Sequence, residues 1–223
     1  MRTQTKQSQA QLTPDRAKEI LLEGNQRFVN SLRLNRNYLQ QVNETSEGQY
    51  PFAVVLSCID SRTSAELIFD QGLGDIFSTR IAGNIVNDDI LGSMEFACKV
   101  AGSKLIVVLG HTNCGAVKGA CDHVELGHLS GLLHKIKPSV DAIKHAGERS
   151  SKNMEFVEKV AERNVLNMLK QIPEKSPIIR EMVEKGQIGI VGGMYNVETG
   201  AVEFYDEKLE DQKLLNEEST GKH

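Results

Sequence analysis

Phe52-Ala53-Val54-Val55-Leu56-Ser57 is an unbroken apolar, β-branched run closed off upstream by Pro51, and its reading decides the fold. A short run of this kind without polar alternation is the pattern of a strand covered on both faces. Lys104 to Leu109 repeats the signature, and Ile76-Phe77-Ser78-Thr79-Arg80-Ile81 reads as a further strand between the two. Helices are expected in the gaps, one from about Ser64 and one over Asp89 to Ala101, the latter with Leu91, Met94, Ala97, Cys98 and Ala101 on one side. Strands that alternate with helices need crossover connections, so the expected class is α/β, with a mainly parallel central sheet flanked by helices.

Working outward, Thr13-Pro14-Asp15 is a helix start with proline in the first turn, and Ile20, Leu21, Phe28 and Leu32 give the extended N-terminal helix one apolar stripe. Downstream, helices are expected at about 129 to 146, 153 to 171 and 176 to 185, broken by Gly147, Pro173 and Gly186. Ile188 to Val197, the turn Glu198-Thr199-Gly200, and Ala201 to Tyr205 then form an antiparallel C-terminal edge hairpin. No repeat, low-complexity tract or linker interrupts the chain, so residues 1–223 are read as a single domain. The polar segments 1–12 and 207–223 are expected to be mobile or to contact a partner.

Composition removes several functions. A formal charge of -4 and a pI near 5.9 give no basic footprint for nucleic acid. The longest apolar runs fall far short of the roughly 20 residues of a membrane-spanning helix, and the polar start MRTQTKQSQAQLTPDR leads to the expectation that secretory export is not encoded. Cytoplasm is the expected location. Four cysteines in 223 residues are too few for a disulfide scaffold and read as metal ligands, catalytic groups or buried thiols.

Two motifs stand at equivalent places: Cys58-Ile59-Asp60-Ser61-Arg62 after the first buried strand, and His111-Thr112-Asn113-Cys114 after the third. In open α/β sheets, ligands bind beyond the carboxyl ends of the strands, where both motifs would sit. Two thiolates and an imidazole suit Zn²⁺, and three protein ligands leave the fourth tetrahedral position open, as in catalytic rather than structural sites. Cys58 taken alone reads first as a small buried hydrophobe. Its conjunction with His-x-x-Cys bracketed by Gly110 and Gly115 is what argues for metal. Asp60 and Arg62 can form a bidentate pair that keeps the carboxylate ionised. Such a carboxylate could orient a water or hydroxide on the metal, or close the fourth position itself. The plainer alternative is a loop salt bridge of little energetic worth.

The pattern C-I-D-S-R followed by H-T-N-C-G-A-V resembles the signature of the β-class carbonic anhydrases, a similarity that runs from about Gln49 through Ala120. The resemblance implies reversible, zinc-dependent hydration of carbon dioxide to bicarbonate and a proton by attack of zinc-bound hydroxide, the reaction of a carbonate dehydratase. It makes Cys58, His111 and Cys114 the ligands of one zinc per chain, and Asp60 and Arg62 the dyad at the fourth position. It also implies a homodimer or homotetramer with sites near the interface. Within the family, Gln49, nine positions before Cys58, matches the open-zinc, plant-like subtype and would hydrogen-bond substrate. The bicarbonate-gated subtype has tryptophan where this chain has Val55, so Arg80 lacks that partner. Phe77 and Ala82 are candidates to line a small apolar substrate pocket.

Zinc lowers the pKa of bound water from about 15.7 toward 7 when its ligands are histidines. Two thiolates cancel more of the metal's charge, so activity here is expected to rise across the neutral to alkaline range. Cys98 and Cys121 read as packing residues, and His123, His128, His134 and His145 as solvated surface. The rival functions are hydrolysis of another small linear molecule such as carbon disulfide, and a non-catalytic zinc or redox module. Asp60, Arg62 and Gln49 argue against the second, because a closed structural site would need a fourth ligand and no substrate contacts.

Overall fold

The computed structural model describes residues 3–205, so the expectation for the 207–223 tail lies outside the described residues. Strands β1 (Ala53–Ser57), β2 (Ile76–Arg80), β3 (Leu105–His111), β4 (Gly189–Tyr195) and β5 (Val202–Phe204) form one sheet in the order β2-β1-β3-β4-β5. The first four run parallel and β5 is antiparallel to β4. This is the expected mainly parallel α/β sheet with its C-terminal hairpin.

Both buried runs are covered on both faces. Val54, Leu56, Ile106 and Val108 pack on one side, beneath α5 (Asp88–Glu95), α6 (Gly115–Cys121), α8 (Lys137–Ala142), α9 (Met154–Lys175) and α10 (Pro177–Glu184). Ala53, Val55, Val107 and Leu109 pack on the other, beneath α2 (Pro14–Val29) and α4 (Ala65–Ile68). Gly24 lets α2 approach closely, since a Cβ there would meet the carbonyl oxygen of Phe69 at 1.7 Å.

The differences from expectation have identifiable causes. The N-terminal arm contains a helix, α1 (Lys6–Gln11), started by a reciprocal cap between Thr5 and Ser8. Gln9 anchors it by donating from Nε2 to the carbonyls of Pro51 and Ala101, both at 2.8 Å. A further helix, α3 (Tyr38–Glu44), lies where no helix was expected; Tyr38, Leu39 and Val42 stay exposed, so it leaves no buried stripe to detect. Leu32 does not extend the stripe of α2, which stops at Val29 and leaves Leu32 exposed. The segment expected at 129–146 divides into α7 (Gly127–Leu133) and α8, with Pro138 in the first turn of α8. Pro173 does not break α9, which runs on through it to Lys175 and ends two residues later. After α5 the chain continues as a π-helical turn over Phe96–Val100.

Candidate metal centre

β1 and β3 are parallel neighbours with Ser57 level with Leu109, so Cys58 and His111 emerge side by side at their carboxyl ends. The chain then turns back through Thr112 and Asn113, the latter at φ +59°, and delivers Cys114 to the same point. The donor atoms of Cys58, His111 and Cys114 all lie within 4.8 Å of one another, and the three residues are buried to 4% exposure or less. His111 Nδ1 is 2.9 Å from the Thr112 carbonyl oxygen, which can only accept, so Nδ1 carries the proton. Nε2 is left buried with no hydrogen-bond partner. A buried lone pair facing two buried thiols is costly unless a cation fills the gap. The donor set fits a thiolate-binding divalent metal.

The thiols are polarised against each other. Cys58 is drawn well below an ordinary thiol chiefly by the Cys114 thiol, with further help from the Gly83 N–H, while burial opposes. Cys114 is pushed up as the donor of that pair and by burial. Gly83, at φ +68°, donates its N–H to Cys58 Sγ at 3.3 Å, and its carbonyl accepts from the fully buried Asn164 of α9 at 2.8 Å. A side chain at Gly83 would collide with Ile136, so this close approach to sulfur requires glycine.

Asp60 and Arg62 form a fork. Arg62 Nε donates to Oδ1 at 2.9 Å and Nη2 to Oδ2 at 2.8 Å, and the Arg62 backbone N–H adds a third bond to Oδ1 at 2.9 Å. This holds the Asp60 carboxyl far below the usual carboxylate range, against the opposing cost of burial. The carboxylate is not one of the converging donors. Below it, Thr63 Oγ1 and Arg80 both bond the carbonyls of Cys58 and Asp60, which fixes the loop to β2.

Comparison with known proteins agrees with this geometry. The carbonic anhydrase family model matches residues 53–202. Carbonic anhydrase 2 of Mycobacterium tuberculosis is 36% identical over 201 residues, covering 86% of this chain and 93% of that protein. A β-carbonic anhydrase of the fungal pathogen Aspergillus fumigatus superposes with a TM-score of 0.65 at 27% identity, covering 80% of this chain and 88% of that one. A tetrameric β-carbonic anhydrase of Sordaria macrospora superposes at 0.63 with 26% identity, covering 71% and 82%.

The chain belongs to the β-class carbonic anhydrases.

In this carbonic anhydrase the remaining candidates are dispersed. Ala82 opens the tight turn Ala82–Asn84 and is bonded in sequence to Gly83, against Cys58. Phe77 instead packs edge-to-face on Phe96, with centroids 6.2 Å apart, and lines a 570 Å³ groove along β2 that contains none of the three ligands. Gln49 is exposed at the amino end of β1, the end away from the metal centre, so one chain does not bring it to Cys58. Val55 is fully buried in β1. Gly83, Asn164, Thr63 and the loop-holding role of Arg80 were not legible beforehand; only the Gly83-Asn84 pair, both at positive φ, left a trace as a turn-forming dipeptide. Tyr195, level with His111 on β4, also faces the dyad electrostatically, and burial raises its hydroxyl pKa.

Proposed function

We propose that this carbonic anhydrase hydrates carbon dioxide reversibly to bicarbonate and a proton at a zinc ion held by Cys58, His111 and Cys114. The observation that carries the reading is the buried, unpartnered Nε2 of His111, converging with two thiols next to a carboxylate that arginine keeps ionised. When bound, zinc supplies the Lewis acidity that makes water nucleophilic near neutral pH. The protein does the rest. Asp60 Oδ2 accepts one hydrogen bond from Arg62, which leaves a lone pair to hold and aim the proton of the attacking water. Arg62 prevents the carboxylate from taking that proton, and the neighbouring turn at Ala82 shields the approach of an apolar substrate.

The intact two-point fork between Asp60 and Arg62 supports the open subtype, in which the aspartate stays with its arginine and does not take the fourth position. A homodimer or homotetramer suits the outer edge of β2, where the exposed Phe96 lines the Phe77 groove. The Sordaria relative is tetrameric. In such an assembly Gln49 serves as a substrate contact at the centre of a second copy, and Phe77 as part of a wall shared between copies. A cytoplasmic setting keeps Cys58 and Cys114 reduced and able to bind metal. No helix among the described residues is long and apolar enough to cross a membrane.

Stopped-flow hydration of carbon dioxide on protein of measured zinc content tests the reading. Activity is expected to scale with zinc and to vanish with it in Cys58→Ser. Full activity in a zinc-free preparation would refute it.

A further inference from the structure

We infer that Glu158 is a positioning residue of the metal centre, one that keeps the His111–Cys114 turn closed by accepting the backbone N–H of Asn113. The inference rests on the metal-centre reading and adds a determinant of how long the metal is held. Two ligands three residues apart can converge only if the chain reverses between them, and Asn113 does this at φ +59°, in the left-handed region that asparagine enters more readily than most residues but still at a cost. Such a turn stays populated only while its surroundings hold it.

On its strand side the turn is held by Thr112, whose N–H donates to the Tyr195 carbonyl at 2.9 Å and whose Oγ1 accepts from the Val197 N–H at 3.0 Å. On its helix side the backbone is held by Glu158 Oε1, 2.8 Å from the Asn113 nitrogen. Lys118 secures only the Asn113 side chain, at Oδ1.

Glu158 differs from Glu155 of the same helix. Glu155, one turn earlier, makes an exposed pair with Lys159. Glu158 turns inward from the second turn of α9 and spends one oxygen on the Asn113 peptide, while Oε2 is buried with no hydrogen-bond partner. A glutamate kept for surface charge would present both oxygens to water or to a cation. One that submits to burial for a single backbone bond is there for that bond. It closes the link from α9 through Asn113 to Cys114, as Asn164 of the same helix closes the link through Gly83 to Cys58.

The test compares zinc-loaded parent protein with Glu158→Ala, Glu158→Gln, Glu158→Asp and the control Glu155→Ala. Two readouts are taken: the rate at which zinc passes to an excess of chromogenic chelator, and the visible spectrum of the cobalt-substituted proteins. E158A is expected to release zinc about tenfold faster or more, the scale on which partners behind metal ligands act, and to alter the cobalt bands. E158D, with the carboxylate withdrawn by one methylene, should follow it. E158Q, whose amide oxygen still accepts the Asn113 N–H, should stay close to the parent, as should E155A. Parent-like release and spectrum in both E158A and E158D would overturn the proposal. So would an E158Q as leaky as E158A, since charge rather than acceptance would then be responsible. A parent that binds no zinc stoichiometrically would refute the metal centre itself, whereas a zinc-replete parent with unaffected variants would refute only the role of Glu158.

Discussion

Asp60 and Asp70 lie ten residues apart, and arginine holds both below their ordinary carboxyl pKa, yet the two pairs have opposite designs. Asp70 is 3% exposed and takes its partners from far along the chain. Arg27 donates to Oδ2 at 2.6 Å, Arg36 grips both the carboxylate and the carbonyl, and the Leu34 N–H adds a bond at 3.2 Å. These contacts tie the N-terminal arm to the body of the domain. Asp60 takes its partner from two residues away, and the Arg62 side chain is 46% exposed. That pair joins nothing to anything. Its product is a charged, aimed carboxylate beside three buried donors. A pair that spans the chain and is buried therefore reads as structure, whereas a local pair with an open arginine at a strand end reads as chemistry.

Substitution should separate the two. Asp70→Asn leaves Arg36 buried without its counter-charge, and loss of one partner of a buried pair costs about 3–5 kcal/mol. Denaturant unfolding of the metal-free protein should show that loss, while kcat/KM per bound zinc in the folded variant stays near the parent's. Asp60→Asn should do the reverse, lowering kcat/KM about 10²-fold and leaving the unfolding midpoint almost in place, because exposed ion pairs contribute little. Large stability loss from Asp60→Asn, or lost turnover from Asp70→Asn, would erase the distinction. Arg62→Lys is a finer probe. It keeps the charge but replaces a two-point fork with one flexible donor, and about tenfold in kcat/KM is the expected cost.

The same contrast between local and distant partners explains what could be read without coordinates. Cys58, His111 and Cys114 were legible because each follows an apolar run whose length betrays a buried strand, and parallel strands put their carboxyl ends together. Asp60 and Arg62 were legible because they are neighbours. By contrast, α1 and α3 bury no apolar stripe; their anchors are single glutamines, Gln9 on Pro51 and Ala101, and Gln41 on the Leu73 N–H. Glu158 reaches Asn113 across 45 residues and Asn164 reaches Gly83 across 81, each from a helix rich in similar polar residues. Gln49 lies nine residues before Cys58 with all of β1 between them, and a strand extends more than roughly 3 Å per residue, so a spacing that is short in sequence is long in space.

The smallest effect is the response of the pairs to acid, and it follows from the sign of the shifts. Both aspartates are depressed below the value of 3.8 expected in the unfolded chain. Each then binds its proton more readily unfolded than folded, so each contributes stability that is present above pH 3.8 and fades as pH falls below it toward the folded value. The stability gap between parent and Asp70→Asn, followed by urea unfolding of metal-free protein, should hold constant from neutral pH down to about 5 and narrow below about 4. The gap for Asp60→Asn should begin small and close over the same window, because solvent already screens the open Arg62. Equal gaps at neutral pH would mean that the exposed fork stabilises the fold as much as the buried one. Gaps that widened in acid would mean that the shifts have the opposite sign, and Asp60 would then be a proton carrier rather than a fixed charge.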